Sequence, residues 1–172
     1  LPTDILSEMV GRVWRVTSTD KARPILGGVH MKVENNTVRL VATDSFRLAV
    51  CDTQVETSTL EGSFELNVPA DAFNDALNIM AATNTQVVFE AGNTTYVSRR
   101  IEGVYPNYKQ LIPDSCVTSV KIDVAAFNAA LKRVAVIASA NPAVKFEIDV
   151  ENGQMGLSSI SNDQDLAQET ID

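Results

Sequence analysis

The side chains best suited to metal binding or nucleophilic attack are few in this sequence: one histidine, His30, and two cysteines, Cys51 and Cys116. Their spacing supports neither chemistry. His30 lies in Val29-His30-Met31-Lys32-Val33, an alternating run that predicts a strand with the imidazole facing solvent or a helix. Cys51 closes the apolar run Leu48-Ala49-Val50 and reads as core packing, while Cys116 stands alone. A zinc site draws four ligands from Cys, His and carboxylates, and neither a CxxC nor a histidine pair is present. G-x-S-x-G, P-loop and GxGxxG patterns are also missing, and no carboxylate pair sits in a distinctive context. The sequence therefore assigns no catalytic residue, no metal ligand and no cofactor.

The cations carry more information. Glu8, Arg12, Arg15 and Thr19 recur at spacings of four and three, opposite an apolar line of Ile5, Leu6, Met9, Val13 and Val16. Asn128, Lys132 and Arg133 flank a second apolar line, Val124, Phe127, Leu131 and Val134, and Lys21 and Arg23 follow the first helix in a loop. Such stripes either track phosphates or are ordinary solvated helix faces. No aromatic interleaving accompanies them, so base readout is not indicated. Arg47, in Asp44-Ser45-Phe46-Arg47-Leu48, reads as a strand residue that pairs with Asp44 or edges a pocket.

The elements that position these residues are repeated. Ala72-Phe73-Asn74-Asp75-Ala76-Leu77 and Ala126-Phe127-Asn128-Ala129-Ala130-Leu131 share five of six residues, which calls for a repeat reading. Each opens a helix, with Asp71 and Asp123 placed to cap or charge-stabilise the N-terminus and Pro69 just ahead of the first. An earlier helix, about Asp4 to Ser18, fits the same scheme, because Gly11 to Ser18 aligns with Lys132 to Ser139 and sets Arg12 opposite Arg133. Strands follow each helix: Val29–Glu34 and Val38–Val41 about Asn35-Asn36, Val87–Glu90 before Gly92-Asn93, and Val144–Val150 before Asn152-Gly153, a type I′ hairpin signal. Lys32-Val33-Glu34-Asn35-Asn36 corresponds to Asp149-Val150-Glu151-Asn152-Gly153. Strands Ser63–Val68 and Ser119–Asp123 are expected ahead of the second and third helices. The scheme predicts another before Leu1, and a closing strand near Leu166–Asp172. The chain then holds two repeats that pair and a third without a partner, which is a swapping hazard.

The bulk composition agrees with a folded protein that can bury a core, at 172 residues, 45% hydrophobic and a net charge of -8. The charge is uneven. Through Phe146 there are 15 acidic and 14 basic residues, so the last 26 residues carry the remaining seven acids and no base. A nearly neutral body can present a basic face, whereas tight phosphate neutralisation over the whole surface is not expected. No apolar run is long enough to span a membrane, and a cytoplasmic location with reduced thiols is expected.

Two segments resemble a known family. Arg-Pro-x-Leu-x-Gly-Val from Arg23, followed by Val-Ala-Thr-Asp-x-x-Arg-Leu-Ala-Val from Val41 to Val50, is similar to the second domain of bacterial DNA polymerase III β subunits, the sliding clamps. Glu102-Gly-Val-Tyr-Pro-Asn-Tyr-Lys-Gln-Leu-Ile-Pro113 resembles their linker into the third domain; on its own it reads equally as linker or pocket wall.

The resemblance implies an α+β DNA-clamp fold, with residues 1–113 as the middle domain and 114–172 as the first half of the third. It also implies a non-catalytic processivity factor, a homodimeric ring around duplex DNA. Arg12, Arg15, Lys21, Arg23, Lys132 and Arg133 would face the DNA. A pocket of Leu26, Thr43, Arg47, Leu48, Pro106 and Leu111, rimmed by Ser45 and Phe46, would capture peptides from the polymerase III α subunit, the clamp loader and repair polymerases. Many family members have Gly-His where this chain has Ser45-Phe46. The alternative from another class is a truncated interaction module that self-associates through its unpaired half domain.

Overall fold

The computed structural model describes residues 3–55, 62–75, 79–82, 85–91, 93–137, 143–160 and 166–171. They form two compact units, Leu1–Ile112 and Pro113–Asp172.

The first unit opens with helix α1, Thr3–Val13, which continues as one 3₁₀ turn, Trp14–Val16. The helix is shorter than the expected Asp4–Ser18, because Thr17 turns extended (φ -68°, ψ 153°) and both its N–H and its hydroxyl bond back to the Trp14 carbonyl. A second 3₁₀ turn, Pro24–Gly27, leads into strands β1 (Gly28–Glu34), β2 (Thr37–Thr43), β3 (Leu48–Gln54) and β4 (Phe64–Pro69), ordered β3-β2-β1-β4, all antiparallel. Helix α2, Ala70–Asp75, and a second sheet follow: β5 (Ile79–Ala82), β6 (Gln86–Ala91) and β7 (Thr94–Arg99). Ala76, Leu77 and Gly92 lie outside the described residues.

Alternation along the strands builds one core. Val29, Met31, Val33, Val38, Leu40, Ala42, Leu66 and Val68 face the helices, where Leu6, Met9, Val10, Val13 and Phe73 meet them with Val87 and Phe89 of the second sheet. Each of the larger side chains stabilises by roughly 1.5–3 kcal/mol through burial. The two-residue loop Asn35-Asn36 has φ of 48° and 62° between the paired residues Glu34 and Thr37. That is type I′ geometry, for which Asn is suited because it tolerates the left-handed region.

The second unit repeats the plan once. Helix α3, Val124–Val134, runs into a 3₁₀ turn, Ala135–Ile137, and then strands β8 (Lys145–Asp149), β9 (Gln154–Ile160) and β10 (Leu166–Ile171), ordered β10-β9-β8. Asp123 is the N-cap, its carboxylate accepting the Ala126 N–H at 2.8 Å. Ala130 and Val134 bury against Met155 and Leu157, with Phe127 and Leu131 half-buried, while Val124 is exposed instead of joining the apolar line. Val13 and Val134, aligned by the repeat, are both buried at the last α-helical position before a 3₁₀ turn.

Two further expectations are corrected. Asn152-Gly153 is not a two-residue turn: β8 and β9 close across four residues between Asp149 and Gln154, with Gly153 alone at positive φ (68°). Asp149 folds that loop by accepting from the N–H groups of Glu151 and Asn152. Ser119–Asp123 is not a strand. Its counterpart β4 is a strand because it pairs with β1, and no ladder partner for Ser119–Asp123 exists among the described residues.

Candidate functional site: the corner between β2 and β3

Five of the expected pocket residues, Thr43 and Ser45 to Leu48, fall within six consecutive positions at this corner. Thr43 ends β2 and Leu48 begins β3, so Arg47 belongs to the turn and not to a strand. Thr43 Oγ1 accepts the Ser45 N–H at 3.1 Å and donates to the Arg47 carbonyl at 2.8 Å. Asp44 accepts the N–H groups of Phe46 and Arg47, each at 2.9 Å, through one carboxylate oxygen, and the Arg47 Nε at 2.9 Å through the other. Partial burial pushes the Asp44 carboxyl up, but those N–H groups and the guanidinium outweigh it and hold it below its ordinary value.

The corner is tied to its neighbours. Arg47 donates to the Arg15 carbonyl at 3.1 Å, and Arg23, paired with Asp20 at 2.9 Å, donates to Ser45 Oγ at 2.8 Å. Held this way, Ser45 takes φ of 81°, a left-handed conformation that costs a non-glycine residue roughly 1–2 kcal/mol. Phe46 is left 94% exposed. An apolar side chain presented on a strained, cross-braced turn suits contact with another molecule better than it suits the core.

Leu48 joins an apolar group that sequence reasoning did not assemble. Val41, Tyr105 and Tyr108 bury together on the sheet face away from the helices, with Ile25 and Leu48 against them. The segment after β7 lies across that face. Its register is fixed by the Ile101 N–H to the Asn67 carbonyl at 2.9 Å, and by Asn67 Nδ2 donating to the Gly103 carbonyl at 3.3 Å. His30 is covered there, facing neither solvent nor a helix: Nδ1 is 2.8 Å from Asn67 Oδ1 and the ring stacks on Tyr105 with centroids 4.6 Å apart. Burial raises the Tyr105 phenol to about 12. Two tyrosines in a proline-bounded segment were the visible signal for this cover.

The remaining pocket residues flank this arrangement. Leu26 is buried in the 3₁₀ turn before β1, whereas Pro106 and Leu111 are exposed, the latter at 66%. Of the expected DNA-facing residues, all six are exposed. Arg12 pairs with Glu8, Arg133 with Glu169, and Arg15 lies over the Trp14 ring at 5.6 Å. Among the described residues, no group of three or more His, Cys, Asp or Glu side chains is placed to hold a metal ion, and no helix is long and apolar enough to cross a membrane.

Comparison with known proteins converges on one family. The family described as "DNA polymerase III beta subunit, central domain" matches residues 1–107. A "Beta sliding clamp" from Synechococcus elongatus is 35% identical over 167 residues, covering 90% of this chain and 44% of the relative. The crystal structure of a DNA polymerase sliding clamp from Bacillus subtilis aligns with a TM-score of 0.87 at 29% identity, over 99% of this chain and 47% of that one. The DNA polymerase III β subunit of Thermotoga maritima gives 0.86 at 28% identity, covering 100% and 48%. The chain spans about half the length of the relatives it matches. Its fold is the α+β clamp fold, and the chain belongs to the DNA polymerase III β-subunit family.

Proposed function

We propose that this chain is part of a DNA sliding clamp, a processivity factor that encircles duplex DNA as a homodimeric ring and does no chemistry. Residues 1–113 would be its middle domain and 114–172 the first half of its third. The observation that carries this is the recurring helix-and-strand repeat with exposed arginines at matching positions, Arg12 and Arg133, in a chain of this family.

The electrostatics favour sliding over gripping. Arg12, Arg23 and Arg133 each already hold a carboxylate, exposed for Glu8 and Asp20 and half-buried for Glu169. Such pairs contribute only about 0–1 kcal/mol, so a passing phosphate can exchange with Glu8, Asp20 or Glu169 at little cost in either direction. Contacts of that kind are weak and salt-sensitive, and topology supplies the retention. Arg15, Lys21 and Lys132 complete the proposed DNA-facing set.

On the outer face, Leu26, Thr43, Ser45, Phe46, Arg47, Leu48, Pro106 and Leu111 would form one wall of a pocket for short peptides. The partners are the polymerase III α subunit, the clamp loader and repair polymerases. Leu48, backed by Tyr105 and Tyr108, supplies apolar contact, and the rigid corner keeps Phe46 presented.

The test uses the longer protein in which this span occurs, loaded on nicked circular DNA. Retention on circles and loss on linearisation is expected, with Leu48→Asp abolishing polymerase-peptide binding while retention persists. Equal retention on linear and circular DNA would overturn the clamp reading. Unchanged peptide affinity in Leu48→Asp would overturn the pocket.

A further inference from the structure

The loop that closes β8 and β9 is folded around one carboxylate and contains a chemically labile step. Asp149 Oδ1 accepts the N–H groups of Glu151 at 3.1 Å and Asn152 at 3.0 Å, and its Oδ2 accepts Asn152 Nδ2 at 2.7 Å. The Asn152 side-chain bond is the largest of the contacts that hold the Asp149 carboxyl below its ordinary value. Asn152 is followed by Gly153, whereas every other asparagine in the sequence precedes a residue that carries a side chain.

Asparagine is thermolabile because the next backbone nitrogen can attack its Cγ, and the attack needs an uncrowded, uncommitted N–H in water. Asn152-Gly153 meets each condition. Both residues are exposed. Gly153 has no Cβ, and even an added one would meet nothing within 4 Å. Its N–H forms no hydrogen bond among the described residues, and its φ of 68° lies in a region that glycine enters freely. Other asparagines are held: Asn67, Asn74 and Asn128 lie within β4, α2 and α3, and the N–H after Asn107 is bonded to the Pro106 carbonyl at 2.8 Å.

We propose that Asn152 is a site of spontaneous deamidation whose product opens the β8–β9 loop. The Gly153 nitrogen bonds to Asn152 Cγ, its proton passes to solvent, and the side-chain nitrogen leaves as ammonia. Water then opens the five-membered imide at either carbonyl, leaving aspartate or isoaspartate at position 152. The new carboxylate stands where a donor lay 2.7 Å from Asp149 Oδ2, so a hydrogen bond becomes a contact between like charges. Glu151 beside it adds to the repulsion. The inference rests on this loop alone and stands apart from DNA encirclement.

Ageing the 172-residue chain in warm, mildly alkaline buffer tests it, read by peptide mass mapping and isoaspartyl methyltransferase labelling. Acid should form at Asn152 before any other asparagine, and Gly153→Ala should abolish it over the same interval. In hydrogen exchange, Asn152→Asp should raise the opening of the β8 and β9 amides about fivefold and leave those of β1 and β2 unchanged. Acid forming first at another asparagine, equal ageing of Gly153→Ala, or an Asn152→Asp loop that exchanges like the parent would each overturn the proposal.

Discussion

Strands β1 and β8 hold the same place in the repeat and live in opposite surroundings. β1 is central: β2 and β4 pair with its two edges, helices α1 and α2 cover one face, and Tyr105 covers His30 on the other. All five residues of β8 are exposed, and among the described residues only β9 pairs with it. The same sequence pattern thus gives a core strand or an edge strand, according to what its neighbours bring to it. Residue choice follows. Gly28 is required where β4 and Ile101 close in, since a Cβ there would lie 2.5 Å from Ile101 Cδ1 and 2.7 Å from the Val68 carbonyl oxygen. Its counterpart Lys145 carries a long, largely exposed side chain that pairs with Glu147 at 2.7 Å.

The contrast can be broken most severely at Gly28. Gly28→Ala should destabilise the first unit by roughly 2–4 kcal/mol, because the carbonyl it meets is backbone and cannot give way cheaply. Urea denaturation followed by circular dichroism measures this, and an unchanged midpoint would mean that the β1·β4 joint is looser than its geometry. Next comes the matched pair Met31→Ala and Ile148→Ala. The first removes a buried core side chain and should cost roughly 2–4 kcal/mol, whereas the second removes a half-exposed one and should cost about 1 kcal/mol or less in the monomer. Equal losses would show that β8 is covered in solution.

The smallest contrast separates the helix starts. Asp123 caps α3 through the Ala126 N–H, while Asp71 sits one residue inside α2. Asp123→Ala should cost about 1 kcal/mol, and Asp71→Ala only a few tenths through the helix dipole. Hydrogen exchange of the first-turn amides resolves the two.

Helices and most strands were legible because their signals are local. The Ala-Phe-Asn repeats, the alternation from Val29 to Glu34 and the aspartates at helix starts all act over a few residues. The corner was legible in part: the Asp44–Arg47 pair was one of two readings open from the residues alone and is present at 2.9 Å, whereas nothing in Thr43-Asp44-Ser45-Phe46-Arg47 by itself reveals that Thr43 folds the turn or that Arg15 and Arg23 brace it from distant positions. The cover over His30 was hidden for the same reason, since Asn67, Ile101 and Tyr105 meet through pairings far apart in sequence. Ser119–Asp123 was misread because its alternation is that of a strand, and alternation does not provide the edge on which a strand is formed.

Trp14, the only tryptophan of the chain, sits in the 3₁₀ turn after α1 and packs against the core of the first unit. Its emission therefore reports on the packing of that unit's core, whereas the peptide circular dichroism sums both units. Unfolding curves from the two probes coincide only if the units melt as one, so a single residue lets the independence of the halves be read in an ordinary denaturant titration.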